Sequence, residues 1–185
     1  MAVTRLTTNG LSGTKYDIAS ADNYYMEPIA TQLLGSTQST ITFSNIPNTY
    51  KNLQIRALQM NTTTATTNLR FNGDTGSNYS RHYLYGGGAS ATGAGGSASQ
   101  TNIGVLYNES TTCASVSVID ILDYTLTSKY KTVRSLNGWD ANGSGYVFFY
   151  SGCWLNTAPI TQITLTPDGG TFAANTRFSL YGIKG

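Results

Sequence analysis

The residues Asp74-Thr75-Gly76-Ser77 match a signature in which paired carboxylates share a proton and activate water for peptide hydrolysis. The context does not fit, because Asn72-Gly73 replaces the apolar strand end expected before the aspartate, and one copy supplies one carboxylate. We therefore predict a turn that fixes a β-hairpin. Oxygen atoms of Asn72, Asp74, Ser77 and Asn78 offer a calcium site as a weaker alternative, since the spacing lacks a closing bidentate glutamate.

The chain has one histidine, His82, and two cysteines, Cys113 and Cys153. One histidine excludes multi-histidine zinc centres and leaves any serine or cysteine nucleophile dependent on that ring. The cysteines lie far apart in strand-like segments, so we interpret them as small buried residues rather than a metal site or a disulfide framework. We predict that the chain is not an enzyme and holds neither a metal ion nor a cofactor.

The acids nearest the middle of the chain are Glu109, Asp120, Asp123 and Asp140. Hydrolysis of a glycosidic bond would need two carboxylates in one cleft. Asp120 and Asp123 differ in strand parity, so their side chains are expected on opposite faces of a sheet. Only long-range folding would pair two of these acids, which makes glycan hydrolysis a poor prediction.

Aromatic side chains are frequent in the strand-like segments after Tyr79. Aromatic faces suit pyranose rings, so Tyr83, Tyr85, Trp139 and Tyr146 are candidate contacts to a glycan or to a partner protein. The competing interpretation is a core or subunit-interface position, which is common for alternating Tyr and Trp on sandwich strands.

Short runs of alternating apolar and polar residues recur along the chain from Thr40 onward. This period of two predicts an all-β fold, a β-sandwich or jelly roll of about 8–10 antiparallel strands. The predicted strands are the segments around Ile55 and Val118, and Thr40 to Ser44, Leu69 to Asn72, His82 to Tyr85, Ile103 to Tyr107, Lys131 to Leu136, Tyr146 to Leu155, Gln162 to Thr166 and Arg177 to Ile183.

Turn signals separate these runs at Asn72-Gly73, Asn137-Gly138, Asn142-Gly143 and Pro167 to Gly170. Residues Gly86 to Gln100, with the sequence GGGASATGAGGSASQ, form a low-complexity stretch between two predicted strands. We interpret this stretch as a flexible or partner-moulded loop.

Residues 1–30 are polar, lack sustained alternation and end near Pro28. We interpret them as an extended N-terminal anchoring arm, and residues 31–185 as the sandwich domain. The arm residues expected to contact a partner are Arg5, Tyr16, Tyr24 and Tyr25.

Charged residues make up 11% of the chain, against about 25% in an ordinary soluble domain, and the formal charge is +2 without a basic run. This composition argues against a nucleic-acid partner. No apolar stretch approaches the roughly 20 residues that span a bilayer, and the N-terminal MAVTRLTTNG lacks the apolar core of a signal peptide. We expect a chain made in the cytoplasm without membrane insertion.

Three blocks of the sequence resemble a family of small virion proteins from tailed bacteriophages: Ile41 to Pro47, Leu69 to Ser80 and Phe178 to Gly185. The resemblance covers most of the chain from residue 35 onward. Shorter segments fit the same pattern at Ile119 to Tyr124, Ser151 to Asn156 and Ile163 to Pro167, and Leu11 to Tyr16 is similar to some members.

The resemblance implies a non-enzymatic structural protein on the exterior of the virion, foremost a capsid decoration, cement or head-fibre protein attached through its arm. The alternative is a tail-fibre or receptor-binding module that recognises a host surface glycan. The expected partners are further copies of the chain, as a homotrimer, and a major capsid or tail protein.

Overall fold

A computed structural model of the chain describes residues 25–88, 91–108 and 112–185. Within these ranges it contains twelve β-strands, which pair antiparallel in two sheets. The predicted fold class, an all-β sandwich, is confirmed. The strands are β1 (Met26–Leu33), β2 (Ile41–Phe43), β3 (Asn52–Gln59), β4 (Ala65–Phe71), β5 (Tyr79–Gly87), β6 (Ala91–Gln100), β7 (Ile103–Asn108), β8 (Ser115–Leu122), β9 (Lys131–Asp140), β10 (Gly145–Trp154), β11 (Ile163–Pro167) and β12 (Arg177–Ile183).

The two sheets differ in width. The large sheet has eight strands in the order β1-β12-β3-β8-β9-β10-β5-β6, and the small sheet has four in the order β2-β11-β4-β7. Strand β7, at the edge of the small sheet, packs mainly on β9 and β10 and only lightly on β5. The inner face of β10 and β5 therefore lies at the margin of the sandwich, where the small sheet ends.

Alternating burial along the central strands places the core between the sheets. In β8, Ile119 and Ile121 are fully buried, whereas Val118 and Leu122 on the other side of the strand are exposed. Successive strand residues point to opposite faces, so the period of two in the sequence becomes an inner and an outer face. The largest fully buried core side chains include Phe71, Tyr79, Tyr124, Trp154, Phe172 and Phe178.

Most described residues of the glycine-rich stretch from Gly86 to Gln100 lie in strands, so the prediction of a loop is wrong for them. Residues Ala91–Gln100 form strand β6, which pairs with β5 along its length. The rings of Tyr83 and Tyr85 lie on Gly95 and Gly93, where an added Cβ would come within 2.7 and 2.5 Å of a ring atom. Large rings on one strand thus cover the bare backbone of the next, which offsets the low strand propensity of glycine.

The turn predicted at Asn137-Gly138 is wrong, and the hairpin predicted around Asp74 is a different kind of turn. Asn137-Gly138 lies inside β9, because the buried side chain of Asn137 accepts a hydrogen bond from the backbone of Tyr107 (3.3 Å) and the strand continues. Asn72-Gly73 does turn, with φ of 51° and 69°. It leads from β4 in the small sheet to β5 in the large sheet, so it forms a corner between the sheets and not a hairpin.

The Asn142-Gly143 turn is confirmed as the hairpin between β9 and β10. Both residues have positive φ, at 60° and 98°, as a two-residue hairpin requires. The Ala141 backbone N–H donates to the Ser144 carbonyl (2.7 Å) and closes the turn.

Strand β1 crosses the predicted boundary between arm and domain at residue 30. Its pairing with β12 runs from Met26 to Leu33, with an irregularity between Pro28 and Ala30. Proline lacks a backbone N–H and is tolerated at a sheet edge, which is where β1 lies. Of the predicted arm contacts, Tyr25 is exposed and accepts a backbone hydrogen bond from Lys184 (3.0 Å). Arg5, Tyr16 and Tyr24 lie outside the described residues.

Among the described residues, no helix is long and apolar enough to cross a membrane.

Candidate functional site

The four predicted aromatic contacts come together on the inner face at the margin of the large sheet. Tyr83 and Tyr85 project from β5, Trp139 from β9 and Tyr146 from β10. Phe148 and Tyr150 of β10 and Tyr107 of β7 complete a continuous group of seven rings, which we call the ring cluster. Whether these residues contact a glycan stays a prediction.

The rings stack along and across the strands. Phe148 stacks on Tyr150 at 5.4 Å with an interplanar angle of 9°, and on Tyr85 at 5.0 Å with an angle of 22°. Tyr83 lies 5.8 Å from Tyr150 across the strand pair. Trp139, which is 9% exposed, adjoins Tyr146 at the far end of the cluster, and its Nε1–H is buried without a hydrogen-bond partner.

A cleft of about 230 Å³ opens beside these rings. Arg81 lines it, since Arg81, Tyr83 and Tyr85 alternate along β5 and share the inner face. Its Nη1 lies so close to Gly104 of β7 that an added Cβ there would come within 2.5 Å. The cleft is lined by Thr66, Arg81, Tyr83, Tyr85, Tyr107, Phe148 and Tyr150.

The Arg81 guanidinium has no hydrogen-bond or ion-pair partner among the described residues, and its Nε is buried. Two nearby charges change the pKa of Tyr150 in opposite directions. The Arg81 guanidinium lowers it, and the Asp168 carboxylate raises it slightly. Burial dominates and raises the pKa of Tyr150 well above its usual range, so this hydroxyl stays neutral. An oxygen of Asp168 is already bonded to the Thr66 backbone N–H (2.8 Å).

The turn around Asp74 is built differently, and we call it the Asp74 corner. The Trp154 Nε1–H donates to Asp74 Oδ2 (2.7 Å), and the Gly76 backbone N–H donates to Oδ1 (2.8 Å). The Asn78 amide donates to both carboxylate oxygens (3.2 and 3.0 Å). The hydrogen bond from Trp154, with those from Asn78 and Gly76, lowers the pKa of Asp74 despite its partial burial.

Because both carboxylate oxygens of Asp74 accept hydrogen bonds within the corner, Asp74 has little capacity to act as a catalyst or to bind calcium. The carbonyl oxygen of Asn72, another predicted calcium ligand, accepts hydrogen bonds from the backbone of Thr161 (2.9 Å) and Gln162 (3.1 Å). Both side chains therefore fasten the corner between the sheets. No group of three metal-ligating acid, histidine or cysteine side chains occurs within the described ranges.

Among the other candidate acids, Asp120 and Asp123 are engaged by cations. Asp120 accepts hydrogen bonds from Arg134 (3.0 Å) and Gln54 (2.8 Å) on the outer face. Asp123 binds Lys51 (3.1 Å) and Lys129 (2.8 Å), and these contacts lower its pKa. Asp140 is exposed and accepts a hydrogen bond from the Asn142 backbone N–H (2.8 Å), and Glu109 lies outside the described residues.

The remaining single residues are peripheral. His82 is exposed on the outer face of β5. Cys113 and Cys153 are half-buried, not buried as predicted. Burial raises the pKa of the Cys153 thiol, which disfavours a thiolate.

A second surface lies on the outer side of the large sheet, where apolar side chains face solvent in adjacent rows. Leu136 of β9 lies between Val118 of β8 and Phe149 of β10, and Phe149 pairs with Leu84 of β5. The neighbouring row, which contains Leu58, Val116 and Val147, is also apolar. The seven side chains that we call the outer apolar face, each at least 36% exposed, are Leu58, Leu84, Val116, Val118, Leu136, Val147 and Phe149.

Sequence reasoning missed Arg81 and the outer apolar face. For Arg81 the signal was its spacing of two from Tyr83 and Tyr85, which puts an arginine on the aromatic side of a strand. For the outer face the signal was the presence of apolar residues at both parities of β8, where Val116 and Val118 point away from Ile119 and Ile121.

A scan against protein-family models, a search of curated proteins and a search of solved structures found no match to this chain. The fold and its surfaces define the class as a two-sheet β-sandwich with a ring-lined cleft and an apolar outer face. The resemblance to bacteriophage virion proteins stays a prediction.

Proposed function

We propose that this chain is a non-enzymatic structural protein on the exterior of a bacteriophage particle and that its copies associate through the outer apolar face. The size of that face supports association. At roughly 150–200 Å² for a fully exposed side chain of this kind, the seven exposed fractions correspond to about 500–700 Å². The largest apolar patch on a monomer is typically about 300–600 Å² and often functional.

The proposed occupant is a second copy of this chain. A standard interface buries about 800 Å² on each partner, so the seven side chains would supply most of one, with a polar rim for the rest. The polar row of Gln54, Asp120 and Arg134 borders the apolar rows on the same sheet face and fits that rim. Closed symmetry would cover the face in every copy, and the proposed assembly is a homotrimer.

The particle assignment rests on the resemblance of the sequence blocks to virion proteins and on the arm. In this proposal residues 1–24 contact a major capsid or tail protein, and the sandwich is displayed outside. Repeated copies would give avidity without a single tight site. Capsid decoration is favoured over a tail fibre.

The oligomeric state tests the association. We expect sedimentation velocity of the full chain to give a trimer, and Leu136→Lys to give a monomer with an unchanged far-UV circular dichroism spectrum. Thr132→Lys is the matched control, because Thr132 is exposed on the same side of β9 in the polar part. A monomeric wild-type chain at all concentrations, or a trimeric Leu136→Lys variant, would refute the association.

Particle composition tests the assignment. Quantitative mass spectrometry of purified phage should find hundreds of copies for capsid decoration, and about a dozen would indicate a tail appendage. Deletion of residues 1–24, which leaves β1 intact, should abolish incorporation without unfolding the sandwich. Absence of the chain from particles would overturn the proposal.

The ring cluster favours a second candidate, a receptor-binding module for a host surface glycan. Its support is that Tyr83 and Tyr85 line the cleft, while Tyr146 and Trp139 continue the same ring cluster beside it. Aromatic faces pack on sugar rings, and tyrosine hydroxyls add hydrogen bonds.

A further inference from the structure

Arg81 is a partly buried cation with no ion-pair partner among the described residues, and the Asp168 carboxylate near the cleft is bonded to the Thr66 backbone N–H (2.8 Å). The four ion pairs in the described ranges engage Lys51, Lys129, Arg134 and Lys184. Arginine stays protonated and presents five N–H donors, and a buried donor without an acceptor is costly. The oxyanion of a ligand would supply the hydrogen-bond acceptor that the fold does not provide.

The walls of the cleft restrict what that oxyanion can be attached to. Tyr83, Tyr85 and Tyr150 contribute ring surface, and Thr66 adds a hydroxyl at the rim. A volume of about 230 Å³ is below the roughly 300–1,000 Å³ of pockets for drug-sized ligands. The space suits one small ring that offers an apolar face, hydroxyl groups and a carboxylate.

We propose that this cleft binds one carboxylated sugar residue of a glycan, a uronate or a sialate, with the Arg81 guanidinium on the carboxylate and the tyrosine rings against the sugar. The inference builds on the receptor-binding candidate and names its ligand class. It does not depend on the outer apolar face, which lies on the opposite side of the sheet.

The planar guanidinium makes the assignment specific. Arginine binds a carboxylate through two parallel hydrogen bonds, which lysine cannot reproduce. Residues on β5 and β10 hold the site, and both strands are paired on each side, so the cleft is formed before a ligand arrives.

Titration with simple glycosides tests the proposal. The full chain is titrated with methyl β-glucuronide, methyl α-sialoside, methyl β-glucoside and acetate, followed by saturation-transfer difference NMR and calorimetry at low salt. We expect at least one carboxylated glycoside to bind with a Kd of about 1–10 mM, as is reasonable for a single small ring. It should bind about tenfold more tightly than the neutral glucoside and than acetate, the ratio that one charge-assisted hydrogen bond supplies.

Variants locate the binding. Arg81→Met should abolish the preference for the carboxylated glycoside, and Arg81→Lys should restore only part of it. Lys129→Met is the control, because it removes one positive charge from an exposed loop residue that does not line the cleft. It should bind like the wild type.

Four results would overturn the proposal: no glycoside binds up to tens of millimolar, the neutral and carboxylated glycosides bind equally, acetate binds as tightly as the sugar acid, or Arg81→Met keeps the preference. Sedimentation of Arg81→Met should match that of the wild type. If the titration fails while the chain still forms a trimer, only the sugar site is refuted. The sedimentation of Leu136→Lys tests only the association.

Discussion

The Asp74 corner and the Arg81 cleft each place a charged side chain beside aromatic rings, with opposite results. At the corner, the carboxylate accepts hydrogen bonds from Trp154, Gly76 and Asn78. In the cleft, the guanidinium has no protein acceptor among the described residues, and its Nε is buried. The charge at the corner has all its hydrogen bonds within the protein, whereas the charge in the cleft has donors available for a ligand.

The difference separates a charge that holds the fold from a charge that is available for binding. A carboxylate whose oxygens are all engaged contributes stability and has little capacity for a ligand. An unpartnered arginine contributes no hydrogen bond to the fold and keeps donors that can bind a ligand. Substitutions at the two sites should therefore change stability by very different amounts.

The largest expected effect is at the corner. Asp74→Ala removes the acceptor of several hydrogen bonds and leaves the Trp154 Nε1–H buried without a partner. We expect a loss of about 3 kcal/mol in the free energy of unfolding. Urea denaturation followed by tryptophan fluorescence measures it. Asp140→Ala, at an exposed hairpin where one backbone N–H is accepted, should cost no more than about 1 kcal/mol. Equal losses in the two variants would contradict the structural role of the corner.

The next effect concerns the backbone that supports the cleft. Gly95→Ala would bring a Cβ within 2.6 Å of the Tyr83 hydroxyl oxygen. We expect a loss of about 2 kcal/mol, because the ring must leave its packed position. Gly35→Ala is the control, since nothing lies within 4 Å of its added Cβ. If the two thermal denaturation midpoints shift alike, β6 does not pack against the rings as described.

The pH dependence of stability should distinguish the corner from the rest of the chain. The pKa of Asp74 is lowered in the folded state, so its contribution is present above the pKa of the unfolded chain and is lost as the pH falls through the folded value. Unfolding titrations between about pH 6 and pH 2 should show a steeper loss for the wild type than for Asp74→Asn. Part of the slope should remain in the variant, because the pKa values of Glu27 and Asp123 are lowered as well. Identical slopes would mean that Asp74 is not ionised through these contacts.

The smallest effect is expected in the cleft. Arg81→Met removes a charge with no protein partner and keeps an apolar stem of similar length, so the free energy of unfolding should change by less than about 1 kcal/mol or increase. Differential scanning calorimetry with and without added salt measures it. A loss of several kcal/mol would show that Arg81 has a structural partner and would end its contrast with Asp74.

Much of the fold was predictable because alternation and turn chemistry act locally. The period of two marked the central strands, and Asn142-Gly143 marked the hairpin between β9 and β10. The division into a wide and a narrow sheet was not predictable, since Asn72-Gly73 has the same turn residues whether the chain returns to its own sheet or crosses to the other. That choice depends on partners distant in sequence, such as Gln162, whose backbone bonds to Asn72.

The same distinction applies to the site. The aromatic residues of the ring cluster were identifiable from their types and from their alternation. Arg81 was not, because its importance lies in the absence of an acceptor, which depends on every neighbouring strand. Strand β6 was missed for a related reason, because a glycine-rich sequence forms a strand here only beside the rings of Tyr83 and Tyr85.

The glycines of β6 also bear on how this protein can change over generations. Gly93 and Gly95 occupy positions whose side-chain space is already filled by Tyr85 and Tyr83 from the neighbouring strand. A larger residue at either position is compatible with the packing only when the facing tyrosine becomes smaller. We therefore expect the two strands to vary as coupled pairs, Gly93 with Tyr85 and Gly95 with Tyr83.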